Sequence, residues 1–414
     1  MATAADTHRS PTHKAIDAVW KIESARLIAG LARIVRDVGV AEELAQDALV
    51  AALEQWPESG VPRNPGAWLM ATAKHRAIDI LRRRKRFESK RDEIAREIDA
   101  RQDDDSGEDM LSLLFTACHP VLSPEARVAL TLRLLGGLTT DEIARAYLVP
   151  EPTIAQRIVR AKRTLAEKRV PFEVPGGEQL AVRFSSVLEV IYLIFNEGYS
   201  ATAGEDWMRP ALCEDGLRLG RMLAELASRE PEVHGLVALM EIQTSRVRAR
   251  TSSTGEPILL LDQNRALWDQ LLIRRGLAAL DRARKLGRPR GPYLLQAEIA
   301  GCHARALTAE TTDWTGIAVL YDELARVMPS PVIELNRAVA YGMAFGPQAG
   351  LDVVNSLISE PSLKTYHLLP SVRGDLLAKV GRKEEARAEF ERAAGLTRNA
   401  RERQLLLDRA AAIG

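Results

Sequence analysis

Aromatic side chains make up only 5% of this 414-residue chain, and cysteine occurs three times. So few aromatics, set beside abundant Ala, Leu, Arg and Glu, leave little of the Val, Ile, Thr and aromatic material of sheets and favour helices. An all-α protein is expected. Cys118, Cys213 and Cys302 are scattered and odd in number, with no CxxC pair and no His at ligand spacing, which argues against a disulfide framework or a thiolate metal site. They suit a reducing cytoplasm, as small buried hydrophobes. Apolar runs fall short of the roughly 18 residues that span a bilayer, and the N-terminus lacks a signal-peptide pattern. A cytoplasmic location with no membrane partner is therefore expected. No Ser/His/Asp or Cys/His set, metal-ligand spacing or Gly-rich phosphate loop occurs, so no catalytic residue, metal or cofactor is expected, and the chain reads as a non-enzyme.

Charge is also nearly missing as a net quantity, at +1, yet it is strongly segregated along the chain. From Lys74 to Arg91 stand nine Lys or Arg against Asp79 and Glu88, a local +7. The next stretch, Asp92 to Asp109, holds nine acids against Arg96 and Arg101, a local −7. The run Asp103-Asp104-Asp105-Ser106-Gly107 offers no apolar residue to offset ordering entropy and reads as a linker.

These features divide the chain into four parts: a helical domain over 10–90, the acidic linker over 91–110, a second helical domain over 111–170, and a long helical region over 178–414. In the first, Ala41, Leu44, Ala45, Ala48, Leu49, Ala52 and Leu53 set an apolar stripe on one helix, which Trp56-Pro57 is expected to stop. The segment from Pro57 to Pro65 reads as a loop, followed by a helix from Gly66 with a basic end. In the second, Ser123-Pro124-Glu125 marks one helix start and Thr139-x-x-Glu142 has capping-box spacing. Gly136-Gly137 lies between them as a turn. Val170-Pro171 to Gly177 marks the next boundary. Beyond it Ala304, Ala338 and Gly374, then Leu307, Tyr341 and Leu377, then Leu320, Val354 and Phe390 recur at spacings of 34 and 36 residues. This period, together with Gly381-Arg382 as a turn, resembles the tetratricopeptide pattern of stacked helix pairs.

The most specific local signal runs from Leu138 to Leu165. A short capped helix carries Ile143 and Ala144 inward and Leu148-Val149-Pro150 turns the chain. A second helix buries Ile154, Ile158 and Ala161 or Leu165, which is helix-turn-helix spacing. Its N-terminal part presents Glu151, Thr153, Gln156, Arg157 and Arg160 outward, where base edges would be met, with Lys162 and Arg163 over phosphates. With its upstream neighbour from Leu111 to Leu135, this segment resembles the fourth conserved region of extracytoplasmic-function sigma factors, which reads the minus-35 promoter element. Pro150 stands where that family commonly has a capping Ser, and Pro152 where it often has Gly.

Two further stretches carry the same resemblance. Ala41 to Leu49 looks like the second-region helix that docks on the polymerase clamp, leaving Glu42, Glu43, Gln46 and Asp47 for core RNA polymerase. Pro65 to Arg84 resembles the segment that melts and reads the minus-10 element. Opening a duplex calls for a positive surface and a loop that captures an unstacked base. Lys74, Arg76, Arg82 and Arg83 offer the first, and the loop with Asn64 the second. Trp68 and His75 belong to the same segment, with Trp68 read more readily as core than as a stacking platform.

The resemblance implies a transcription initiation factor whose partners are core RNA polymerase and promoter DNA, with a C-terminal tetratricopeptide-like extension. That extension is expected to set activity and to offer a surface for a regulatory protein or peptide. One alternative is a helix-turn-helix regulator with a repeat-type sensor domain that does not bind core polymerase. Another is a scaffold or enzyme centred on Phe195 to Gly204, where polar and small residues interrupt an apolar helix. In that stretch Asn196 and Gly198 read equally well as cap residues of a paired helix end.

Overall fold

The computed structural model describes residues 11–85, 106–201, 207–252 and 255–413. Among them helices dominate, no strand forms, and one isolated antiparallel bridge joins Thr251 to Pro257. The chain divides into two units, residues 1–191 and 192–414.

In the first unit, α1 (Pro11–Val35), α2 (Val38–Ser59) and α3 (Pro65–Lys85) pack on one another. Ala41, Leu44, Ala45, Ala48 and Ala52 form the expected buried stripe of α2, whereas Leu49 is half-buried and Leu53 reaches solvent. Asp37 caps α2 by accepting from the Gly39 and Val40 amides. Pro57 does not stop this helix: it lies in the last turn, and the Gly60 amide donates to the Trp56 carbonyl beyond it. A proline near a C-terminus forfeits one backbone bond and leaves the rest of the turn in place. Trp56 is buried and meets Trp68 edge-on at 5.3 Å.

The second group of helices comprises α4 (Ser106–Ala117), α5 (Pro124–Leu134), α6 (Thr140–Tyr147) and α7 (Glu151–Glu167). α4 begins inside the stretch read as linker, because Met110, Leu113 and Leu114 bury its apolar side and Asp109 pairs with Arg33 at 3.5 Å. The acids from Asp92 to Asp105 lie outside the described residues. α4 packs along α1, so the two groups of helices share one body. Arg127 and Thr131 of α5 are buried beside Cys118, whose thiol stands 3.4 Å from the Thr131 hydroxyl and is pushed up to about 12 by burial.

α8 (Glu178–Tyr199) belongs to the first unit up to Ile191. Its Arg183 donates to the Phe115 carbonyl at 2.6 Å and its Ser186 to the Cys118 carbonyl at 2.6 Å. Arg127 in turn donates to Ser186 at 2.5 Å and to Glu189 at 2.9 Å. Contrary to the run-length reading, residues 179–199 form a helix long and apolar enough to cross a membrane. Val187, Leu188, Val190 and Ile191 are nevertheless core residues, and the same helix carries the bonded Arg183 and Glu189.

The second unit continues with α9 (Pro210–Leu226), α10 (Pro231–Ser245), α11 (Gln270–Lys285), α12 (Pro292–Arg305), α13 (Trp314–Val327), α14 (Pro331–Phe345), α15 (Pro347–Ser356), α16 (Leu368–Lys379), α17 (Lys383–Leu396) and α18 (Ala400–Ala411). α10 is buried along nearly its whole length, with α9, α11 and α12 around it. From α12 onward each helix packs on the next. Close approach rests on small residues: a Cβ on Gly350 would lie 2.7 Å from the Ala338 carbonyl and 3.0 Å from the Gly342 Cα. Gly381, at φ +82°, makes the expected turn between α16 and α17. Ala338, Val354, Leu377 and Phe390 of the 34- and 36-residue series are buried, but Leu307 is 88% exposed, since α12 has already ended at Arg305. At the start of the series Ala304 and Leu320 still pack against buried cores, so Leu307 alone among the first members reaches solvent.

Candidate polymerase and promoter interface

The helix-turn-helix is assembled from local signals. Ser123 caps α5 and Pro124 occupies its first turn. Gly137 takes φ +70° in the following turn. Thr139 and Glu142 close a reciprocal capping box, with bonds of 2.8 and 3.1 Å. Leu148 ends α6 in the left-handed conformation, and Pro150 precedes α7 with no side-chain cap, so the hydroxyl missing from the sequence is missing from the helix start as well. Ile143, Ala144, Ile154, Ile158, Ala161 and Leu165 are all buried.

That packing leaves Glu151, Gln156, Arg160 and Arg163 exposed on α7, with Thr153 and Arg157 half-buried. Arg163 pairs with Glu167 one turn on at 2.6 Å, a surface pair. Lys162 turns elsewhere and forms an ion pair with Glu42 of α2. Arg133 of α5 also reaches Glu42, at 2.6 Å.

On α2, Glu43 and Asp47 are exposed and Gln46 is half-buried. Glu42 departs from the exposed face expected of it: it is 2% exposed, holds Arg133 and Lys162, and accepts from Gln46 at 2.7 Å. Asp47 pairs with Arg76 of α3 at 2.9 Å. On α3, Asn64 accepts from the Ala67 amide at 3.1 Å and so caps the helix. Trp68 and Lys74 are half-buried, while His75 and Arg76 are exposed. Arg82 and Arg83 continue α3, their side chains outside the described residues.

Three family models match in chain order: Sigma-70 region 2 over residues 22–87, Sigma-70 region 4 over 112–165, and a family of unknown function, DUF6596, over 183–284. An uncharacterized protein of Rhizobium meliloti is 42% identical over 384 residues, covering 90% of this chain and 89% of the relative. A probable ECF RNA polymerase sigma factor, SigI, of Mycobacterium tuberculosis is 26% identical over 182 residues, 41% of this chain and 61% of SigI. No solved structure matches. The chain carries both Sigma-70 modules of an ECF-type sigma factor, with a C-terminal extension behind them.

In this sigma factor α1 to α3 carry the region 2 match and α4 to α7 the region 4 match, and the helical extension opens with the family of unknown function. The residues expected to meet minus-35 DNA lie together on α7, apart from Lys162, which faces α2. Sequence reasoning missed Arg133, which with Lys162 joins region 4 to Glu42. Its signal was a lone charge among the leucines from Leu130 to Leu135. The anchors of α8, Arg183 and Ser186, were missed too, their partners being 68 residues away.

Proposed function

We propose that this sigma factor directs core RNA polymerase to promoters and that its helical extension sets that activity. Glu43, Gln46 and Asp47 of α2, joined by Glu42 once released, meet the polymerase. Asn64, Trp68, Lys74, His75, Arg76, Arg82 and Arg83 engage the minus-10 element. Glu151, Thr153, Gln156, Arg157, Arg160, Lys162 and Arg163 engage the minus-35 element, with Gln156 and Arg160 positioned for base edges. The observation that carries this reading is the open outer face of α7, on a chain that bears both sigma modules in order.

Elements centred 10 and 35 base pairs upstream of a start site stand roughly 85 Å apart on a duplex rising about 3.4 Å per base pair. The shared body of α1 to α7, held by Glu42 between Arg133 and Lys162, cannot reach both at once. It is a closed form that opens on polymerase. The extension can bias this step because residues 178–191 of its first helix bond to α4 and α5.

Core polymerase reconstituted with the full chain should initiate at discrete sites, and Gln156→Ala with Arg160→Ala should abolish selection of those that carry a minus-35 element. Random initiation would reject the reading. A chain ending at Ile191 retains the Arg183 and Ser186 bonds and should initiate at an altered rate; an equal rate under all conditions would remove the regulatory role.

A further inference from the structure

Three guanidinium groups meet inside the second unit without a carboxylate among the described residues to pair with them. Arg246 follows α10, Arg250 lies just beyond, and Arg265 opens a short turn before α11. Arg250 stacks on the Tyr199 ring, its guanidinium carbon 3.6 Å from the centroid, and stands 5.6 Å from that of Trp207. Arg246 lies 5.8 Å from the same Tyr199 ring and 5.7 Å from the Trp268 ring, to which Arg265 approaches at 5.0 Å. Two shared rings thus hold the three cations as one cluster.

Among the described residues their charge is hardly relieved. Arg246 and Arg250 are each only 7% exposed. Arg250 donates to the Tyr199 carbonyl. Arg265 donates to the His303 and Ala306 carbonyls at 2.9 and 2.7 Å and to the Thr312 hydroxyl at 3.0 Å. The field of Glu310 reaches Arg265 without forming an ion pair. Arg250 and Arg265 are both held below the usual arginine range, first by burial, with repulsion from Arg246 adding to it. Donors remain in surplus: Arg246 Nε, Arg265 Nε and the indole N–H groups of Trp207 and Trp268 are buried without an acceptor among the described residues. Cation–π contact contributes only about 2 kcal/mol per desolvated pair, far less than the cost of burying unpaired cations.

We propose that this cluster is a binding site for a small oxyanion, a phosphate or carboxylate group carried by a free small molecule. Oxygen acceptors would satisfy the orphaned N–H donors and neutralise Arg246 between its two neighbours, and guanidinium forks match both groups in geometry. The depth of burial limits the occupant to a small group. The stretch from Phe195 supplies the Tyr199 wall, which gives that segment a role beyond joining two helices. The site lies wholly within the second unit and stands whether or not the extension governs transcription.

The full chain is titrated with inorganic phosphate, and separately with succinate, at constant ionic strength in chloride, reading the thermal midpoint and tryptophan fluorescence. Saturable upward shifts of the midpoint are expected with one or both, accompanied by a fluorescence change, and phosphate against succinate identifies the preferred group. Arg246→Met removes the central cation and should abolish the shift. Arg246→Lys keeps the charge without the fork and should weaken binding about tenfold, which supplies the test if Arg246→Met fails to fold. General stabilisation by an excluded anion would act on every variant alike. No saturable shift with either anion, or equal shifts in wild type and both variants, would overturn the site.

Discussion

Glu42 is one carboxylate between two cations, with side-chain exposures of 3% for the acid, 22% for Arg133 and 21% for Lys162. Such a group is expensive to remove because its partners remain partly desolvated. Glu42→Gln keeps the shape and the neighbouring Gln46 and should cost the first unit about 2 kcal/mol, measured as a lowered denaturant midpoint; an unchanged midpoint would show that the two groups of helices do not need this link. The burial of Glu42 was illegible in sequence, since an acid at a helix surface position reads as solvated until a distant partner is known, and Arg133 lies 91 residues away. His303 carries a different residue-scale consequence. Burial, then Arg246 and Arg265, lower it to about 3, against 6.5 for an ordinary histidine. Between those values the unfolded chain binds one more proton than the folded one, so stability is full above pH 6.5 and falls as the pH drops toward 3. The slope approaches about 1.4 kcal/mol per pH unit. His303→Gln should flatten that slope in the second unit, followed by the fluorescence of Trp314, whose ring stands edge-on at 5.1 Å; identical slopes would discard the assignment.

Elements were legible where their signals are local. Ser123, Thr139 and Glu142 announced helix starts because a cap acts within three residues, and the buried set of α6 and α7 followed from spacing alone. Pro57 misled because a proline's effect depends on how many turns follow it. Leu148 holds φ 51° at 55% exposure, and a leucine there costs roughly 1 kcal/mol that an asparagine largely avoids. Leu148→Asn should therefore raise the stability of the first unit by about 1 kcal/mol, with Leu148→Ala bringing no gain in equilibrium unfolding. Gly198, read as a cap, lies inside α8 and is required by a crossing: a Cβ would stand 2.4 Å from the Cys213 amide nitrogen and 2.9 Å from the Arg209 carbonyl oxygen. Gly216 makes the matching approach, its Cβ falling 2.8 Å from that of Phe195. Gly198→Ala should cost the second unit about 2 kcal/mol, whereas Gly395→Ala, with nothing within 4 Å, should be neutral or stabilising. Equal effects from the two would remove the packing explanation.

At the scale of the molecule, helix content and the order of the modules could be read from composition and motifs. The shared body of the first unit and the arginine cluster of the second could not, because each gathers residues from segments far apart in the chain. Later members of the 34- and 36-residue series are buried where small residues let helices approach, whereas Leu307 is not, because alignment by spacing alone carried the series past a helix end.

The cysteines give each unit a reporter of its own. Cys118 in the first and Cys213 in the second are both buried, and burial pushes each thiol up to about 12. Reagents that attack the thiolate should ignore both until the surrounding helices part. Alkylation followed by peptide mass spectrometry would then time the opening of each half in unaltered protein. Glu42→Gln should hasten labelling of Cys118 and leave that of Cys213 unchanged; acceleration at both would mean that the halves open as one.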